Sequence, residues 1–162
     1  MIEIRPVQPH EIPDAKLVIF TVAFDLFKGA DTLEESIAKF SAQGKLSEMD
    51  DVQSNYFDNG GTFLVTVKDG RIIGTGAIKY LDDGVCEIKR LWLLSEYHGQ
   101  GYGYRMIQEL FDIAREKGYK IIRLETDPVF QKRAVEFYKQ LGFYPAVKYG
   151  DDPDDIAMEL VL

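Results

Sequence analysis

The first half of the chain alternates between two spacings of apolar residues, one typical of amphipathic helices and one typical of strands. The helical spacing predicts helices at residues 9–27, 33–42 and 47–57. The strand spacing predicts strands at residues 2–5, 62–68, 71–80 and 85–94. Asp69-Gly70, between the second and third of these strands, is a strong signal for a two-residue hairpin turn. The pattern therefore predicts consecutive hairpins after the first helices.

The second half of the chain returns to helical spacing after the last hairpin strand. Its clearest segment is residues 101–117, where the apolar stripe consists of Ile107, Leu110, Phe111 and Ala114. The remaining predicted elements are a strand at 120–126, a helix at 131–141, and strands at 143–149 and 156–162. A strand–helix–strand unit thus follows the hairpins, and we predict a single α+β domain over residues 1–162.

Composition and charge narrow the functional classes. The net charge of −8 argues against nucleic-acid binding, which needs a basic surface, and it suits a cationic amine substrate or solubility alone. No apolar run approaches the roughly 18 residues of a membrane span, and the N-terminus lacks a signal-peptide pattern, so a cytoplasmic location is expected. The single cysteine, Cys86, excludes an intramolecular disulfide and a thiolate metal cluster, and no metal is expected.

The most informative segment is a turn with three alternate glycines, Gly99, Gly101 and Gly103, between the strand at 85–94 and the helix at 101–117. Glycine allows the backbone to approach a ligand closely. The first turn of a helix presents free N–H groups and the positive end of the helix dipole. These features together predict an anion site, most often a phosphate site.

Two common phosphate-binding motifs fit this turn poorly. A dinucleotide fingerprint needs a third glycine at position 104, which is Tyr104, although Glu125 does stand near the end of the next strand as that motif requires. A dinucleotide-binding site here would predict affinity for NAD or FAD. A P-loop is excluded because the chain has no Gly-Lys-Ser or Gly-Lys-Thr.

Two motifs resemble those of the GNAT (GCN5-related N-acetyltransferase) superfamily. The acyl-CoA signature Gln/Arg-x-x-Gly-x-Gly/Ala is similar to His98-Gly99-Gln100-Gly101-Tyr102-Gly103, with His98 in place of Gln or Arg. The pattern Asn-x-x-Ala-x-x-x-Tyr-x-x-x-Gly-Phe is matched from Gln131 to Phe143, with Gln131 for Asn. The order of the elements also fits, so the resemblance covers essentially the whole chain.

The resemblance implies a fold and a cofactor. The fold would be α+β in three layers (α/β/α), with a mixed, mostly antiparallel central sheet of about seven strands, splayed central strands, and helices on both faces. Acetyl-CoA would bind as co-substrate, its pyrophosphate on the glycine turn and its pantetheine arm along the preceding strand. The residues expected to contact it are Leu91, Trp92, Leu93, His98, Gly99, Gln100, Gly101, Tyr102, Gly103, Tyr104 and Gln131. His98 either contacts the cofactor or caps the turn.

The preceding strand carries a second signal of its own. The adjacent charges Lys89-Arg90, followed by four apolar residues, interrupt strict alternation. A β-bulge explains this interruption, and bulges often lie beside active sites.

The resemblance also implies catalytic roles. Tyr138 would protonate the departing CoA thiolate, since a phenol is a suitable acid for a thiolate, although its spacing equally suits a core aromatic. Glu87 would be the general base, or it pairs with a basic residue of a neighbouring strand; Glu125 is the alternative base, acting through water. The backbone N–H of Leu93 would hold the oxyanion during direct attack of the amine on the thioester.

The acceptor is expected to be a small-molecule amine or a protein amine, selected by residues 24–57 and by the loop at 150–155. The acidic residues of that loop, Asp151, Asp152, Asp154 and Asp155, either attract a cationic amine or are simply solvated. Dimers are common in the family, so a homodimer is a possible assembly. Neither nucleic acid nor membrane is an expected partner. The alternative function is a non-catalytic module that binds acyl-CoA as a sensor.

Overall fold

The computed structural model describes residues 1–162, in which seven strands form one sheet. The strands are β1 (Ile2–Pro6), β2 (Thr62–Lys68), β3 (Arg71–Asp82), β4 (Val85–Leu93), β5 (Ile121–Thr126), β6 (Tyr144–Ala146) and β7 (Ile156–Val161). The longer helices are α1 (Ile12–Phe27), α2 (Leu33–Ala42), α3 (Tyr102–Glu116) and α4 (Lys132–Gln140). The spatial order is β1-β2-β3-β4-β5-β7-β6, and every neighbouring pair is antiparallel except β4 and β5. The predicted mixed, mostly antiparallel sheet is therefore confirmed.

Helices cover both faces of the sheet, as expected. On one face α1 and α2 pack on the side chains that alternate inward from the hairpin strands, such as Phe63 and Val65. On the other face α3 and α4 cover the strand residues that point the opposite way, such as Leu64 and Ile122. The period of two along each strand divides the apolar residues between two hydrophobic layers. No helix of the chain combines the length and the apolar character needed to cross a membrane.

The two central strands separate halfway along their length. β4 and β5 are parallel and pair through only three positions, Val85 with Ile121, Cys86 with Ile122 and Glu87 with Arg123. Beyond these pairs β4 continues to Leu93 and β5 to Thr126, but the two strands no longer pair with each other. The backbone between the strands is therefore open, which confirms the expected splay.

A β-bulge at Arg90 accompanies the separation. Between the pairs Ala77–Lys89 and Thr75–Trp92, β4 has one residue more than β3, and Arg90 has a positive φ of 54°. The hydroxyl of Thr75 donates a hydrogen bond to the carbonyl oxygen of Arg90 at 2.6 Å and satisfies a group that the ladder leaves unpaired. The bulge predicted from the interrupted alternation is confirmed.

The side chain of Arg90 fixes the segment after α2 to the bulge. Its Nε lies 2.6 Å from Oε1 of Glu48, and its Nη2 donates to the carbonyl oxygen of Lys45 at 2.9 Å. The hydroxyl of the fully buried Tyr56 donates to the same Glu48 oxygen at 3.0 Å. Burial alone would raise the pKa of Glu48, but the hydrogen bond and charge of Arg90 outweigh it and hold the pKa below its usual value.

Two predicted elements differ from the structure. The helix expected at 47–57 is two short helical turns, Ser47–Asp51 and Gln53–Phe57. The strand expected at 143–149 is only β6, because the chain then turns away from β7. The polar groups beyond β6 are bound by side chains instead of by a sheet partner. Arg123 donates to the carbonyl oxygen of Val147, and Glu125 accepts from the N–H groups of Tyr149 and Gly150.

Candidate active site

The glycine turn forms an open cradle at the start of α3. Gly99 and Gly101 have φ values of 79° and 84°, which favour glycine, and the helix begins without a side-chain cap. A Cβ atom at Gly99, Gly101 or Gly103 would meet no other atom within 4 Å, so open space lies before all three. The N–H groups of the first helical turn thus face a space that an anion can enter.

His98 caps the strand that leads into this turn. Its Nε2 lies 3.0 Å from the carbonyl oxygen of Leu93. A carbonyl oxygen can only accept, so Nε2 carries the hydrogen in this contact. This contact is the one that the capping alternative requires, and the ring also lines the adjacent cavity, as the cofactor-contact alternative requires.

A cavity of about 370 Å³ extends from the glycine turn along β4 to α4. All of the residues predicted to contact the cofactor line this cavity except Gln100. Sequence reasoning did not foresee the contributions of α1, through Val22 and Leu26, or the cationic Arg133 of α4. The apolar face of α1 was visible in its spacing, but spacing does not say which part of that face borders a cavity. Arg133 stands inside the second motif and offered a signal through its charge.

A second cavity of about 260 Å³ lies at the gap between β4 and β5 and is more polar. Its lining includes Glu125 and Asp127 after the gap, Asp152 and Asp155 from the loop before β7, and Phe27 at the end of α1. Four residues line both cavities, namely Leu91, Trp92, Gln131 and Tyr138. The two cavities therefore adjoin at the splayed strands.

Tyr138 stands at this junction. Its side chain is 7% exposed, and its hydroxyl has no hydrogen-bond partner within the protein although it lines both cavities. Burial raises the pKa of Tyr138 above the usual value for a phenol, so the hydroxyl keeps its proton at neutral pH. Phe137 and Phe143 pack on the ring with centroid separations of 5.8 and 5.6 Å and fix its orientation. The Tyr138 hydroxyl is therefore a proton donor in a fixed position, and no acceptor group of the protein engages it.

The two candidate carboxylates occupy different places. Glu87 is 7% exposed, lies 3.9 Å from the ammonium of Lys79 on the neighbouring strand, and lines neither cavity. This position matches the ion-pairing alternative. Glu125 lines the second cavity, and its Oε2 accepts hydrogen bonds from the N–H groups of Tyr149 and Gly150 at 3.1 and 3.0 Å. Of the two carboxylates, only Glu125 lines a cavity that Tyr138 also lines.

Gln131 precedes α4 and connects the end of β5 to the junction. Its Oε1 accepts hydrogen bonds from the hydroxyl of Thr126 and from the N–H of Asp127, the latter at 3.3 Å. With Oε1 so engaged, the amide NH₂ of Gln131 is the part of the side chain that is left to donate to a ligand.

Comparisons with known proteins agree with this geometry. A family model described as "Acetyltransferase (GNAT) family" matches residues 30–143. The chain is 29% identical over 117 residues to the mouse protein "Probable N-acetyltransferase family 8 member 5", covering 69% of this chain and 51% of that protein. It is 34% identical over 101 residues to the "IAA acetyltransferase" of Azospirillum brasilense, covering 60% and 65%. The matched segments thus span about half to two thirds of these relatives.

Solved structures match over nearly the whole chain. The PaiA N-acetyltransferase of Thermoplasma acidophilum in complex with coenzyme A has a TM-score of 0.78 and 25% identity, covering 100% of this chain and 99% of that one. A GNAT-family acetyltransferase of Staphylococcus aureus Mu50 has a TM-score of 0.81 at 20% identity, covering 98% of both chains. The second likeness is one of fold.

Proposed function

The chain belongs to the GNAT family of acetyltransferases, and on that basis we propose that it transfers the acetyl group of acetyl-CoA to a primary amine. The observation that carries this proposal is the meeting of two cavities at Tyr138. One cavity begins at an uncapped helix N-terminus suited to a phosphate, and the other is polar and acidic, as suits an amine. A transferase needs two such sites that share a reaction point.

The residues of the first cavity fit the cofactor. The N–H groups from Gly99 to Tyr104 would hold the pyrophosphate, because the turn is open and no side chain caps it. The separated part of β4, Leu91 to Leu93, would lie along the pantetheine arm, because β5 leaves this stretch unpaired. Once bound, acetyl-CoA supplies a thioester carbonyl that an amine can attack.

The chain's own residues would then move two protons. Glu125 would accept a proton from the attacking amine, directly or through water, because it is the candidate base that lines the amine cavity. Tyr138 would donate its hydroxyl proton to the departing sulfur and recover it from solvent. We assign Glu87, which the family resemblance had favoured as base, to the ion pair with Lys79.

The test compares Tyr138→Phe with Tyr144→Phe. Tyr144 is exposed, binds Glu159 and lines neither cavity, so its variant controls for loss of a tyrosine hydroxyl. With acetyl-CoA and a panel of primary amines, Tyr138→Phe should lower kcat by roughly 10²–10⁴-fold, the usual range for an acid–base group, with unchanged affinity for acetyl-CoA.

Two outcomes would redirect the proposal. If the wild-type protein binds acetyl-CoA but acetylates no amine, the sensor alternative is correct. If Tyr138→Phe retains full kcat, the protein is an acetyltransferase in which another group, or solvent, protonates the sulfur. Calorimetric titration with acetyl-CoA, with NAD as a control, separates both from a failure of cofactor binding.

A further inference from the structure

The second cavity is lined by more acidic than basic side chains. Its four acidic residues are Glu125, Asp127, Asp152 and Asp155. No lysine or arginine forms an ion pair with any of them. Such charges repel one another, and a cation bound among them would relieve that repulsion.

The nearby cationic side chains form no ion pair with this cluster. Arg90 lines the same cavity, but its guanidinium is bound to Glu48. Lys89 also lines the cavity and forms no ion pair with the cluster. Lys148 donates to the main-chain carbonyl oxygen of Asp152 and not to a carboxylate. Acidic groups therefore outnumber the free cations of this cavity.

The carboxylates are held in place by the backbone, and each keeps an oxygen for a ligand. Glu125, Asp127 and Asp152 each accept main-chain N–H groups on one carboxylate oxygen, and their other oxygens accept no hydrogen bond. Asp155 makes no side-chain hydrogen bond. Burial raises the pKa of Asp155, and Asp152, Glu125 and Asp127 raise it further, whereas the charge of Lys148 lowers it. The four groups thus converge on one region.

Tyr138 gives independent evidence that a ligand belongs in this cavity. Its hydroxyl is unpartnered in a side chain more than nine-tenths buried, and it lines the cavity at the end that joins the cofactor side. The hydroxyl itself is open to the cavity and is not enclosed by protein, so a bound molecule can reach it. The cavity thus has a reaction end at Tyr138 and, in Asp152 and Asp155, a charged end.

We propose that the acceptor is an aliphatic diamine, with one nitrogen beside Tyr138 and Glu125 and the second, as an ammonium ion, between Asp152 and Asp155. This inference rests on the proposed acetyl transfer. The nitrogen that attacks must first lose its proton, so it cannot neutralise the cluster in the reacting complex. A second ammonium stays charged, since alkyl amines have pKa values of about 10. An α-amino acid brings a carboxylate towards the same cluster and is repelled.

The experiment measures kcat/KM with acetyl-CoA for 1,5-diaminopentane and for 1-aminopentane, which lacks only the second ammonium. The diamine should be favoured by about tenfold or more, the value of one hydrogen bond to a charged group. Asp155→Asn should remove about tenfold for the diamine and less than about twofold for the monoamine. Asp151→Asn is the matched control, because Asp151 is exposed, carries the same charge in the same loop and lines neither cavity.

The possible failures are distinguishable. Equal efficiency with both amines, or equal loss in Asp155→Asn and Asp151→Asn, overturns the diamine inference and leaves acetyl transfer intact. If no amine is acetylated, the proposed function fails, and calorimetry with 1,5-diaminopentane in the presence of CoA still decides the recognition question. Binding that is weakened in Asp155→Asn, and not in Asp151→Asn, supports a diamine site. Absence of binding overturns it.

Discussion

Replacing Gly101 by alanine should separate the cost of folding from the cost of binding CoA. The added Cβ would meet no protein atom within 4 Å, so the folded chain has room for it. The positive φ of 84° nevertheless strains any L-residue, by about 1–2 kcal/mol. For a chain of this size, about 1 kcal/mol lowers Tm by roughly 2–4 °C. The structural cost is therefore small.

The expected cost in cofactor affinity is larger. The space that the methyl group would fill lies in front of the free N–H groups of α3, where we place the pyrophosphate. A hydrogen bond to a charged group contributes about 1.5–3 kcal/mol, so losing one weakens binding by roughly 10- to 100-fold. Calorimetric titration with CoA should detect this loss while thermal unfolding reports the modest change in Tm.

Two other glycines provide the controls. Gly84, in the turn between β3 and β4, has a φ of 69° and equally open surroundings, but it lies outside both cavities. Gly84→Ala should lose the same stability and bind CoA normally. Gly103 lies inside α3 without a positive φ, so Gly103→Ala should keep its free energy of unfolding or gain up to about 1 kcal/mol. Its affinity for CoA should nevertheless be reduced, as in Gly101→Ala.

The reasoning is refuted if Gly101→Ala and Gly103→Ala both bind CoA with the wild-type Kd. It is also refuted if Gly84→Ala weakens binding as much as Gly101→Ala, because the effect would then come from general destabilisation. A large loss of Tm in Gly103→Ala would show that the cradle is packed and not open.

Three further predictions follow from the carboxylates and the thiol. Glu125→Gln should lower kcat/KM by roughly 10²–10⁴-fold, whereas Glu87→Gln should keep most of the wild-type kcat/KM; the reverse result returns the role of base to Glu87. The hydrogen bond from Arg5 holds the pKa of Glu11 at about 2, below the usual 4.5, so its stabilisation is complete above pH 4.5 and lost as the pH falls towards 2. Urea unfolding across that range should show a shallower decline in Arg5→Met, and an unchanged slope would contradict the assignment. Burial raises the pKa of Cys86 to about 12, so an alkylating reagent at neutral pH should label the thiol only after unfolding, and rapid native labelling would contradict this.

Local spacing was sufficient to predict the parts of the site whose signals lie close together in sequence. The glycine turn and the start of α3 follow from alternate glycines before an amphipathic stripe, and the bulge at Arg90 follows from one break in alternation. These features depend on backbone conformation over a few residues, which is what turn and helix propensities describe.

The rest of the site depends on contacts between distant segments. Arg90 binds Glu48, 42 positions earlier in the chain, and neither residue type predicts that partner. The acidic loop before β7 offered four aspartates with equal claims, of which only Asp152 and Asp155 line the cavity. That selection comes from Glu125, which binds the N–H groups at 149 and 150 and so sets the path of the loop.

The same contact explains why Gly150 is suited to its place. A Cβ atom there would lie 2.0 Å from Oε1 of Glu125, so any other residue would displace the carboxylate or the loop. Glu125 thus has two tasks that use different oxygens: Oε2 fixes the loop, and Oε1 remains for a proton or an amine. The carboxylate of Glu125 both positions the loop and faces the gap between β4 and β5. A substitution of Glu125 or of the loop should therefore alter acceptor selectivity and proton transfer together. Charge recognition at Asp152 and Asp155 is therefore coupled to the reaction point through the backbone of the loop.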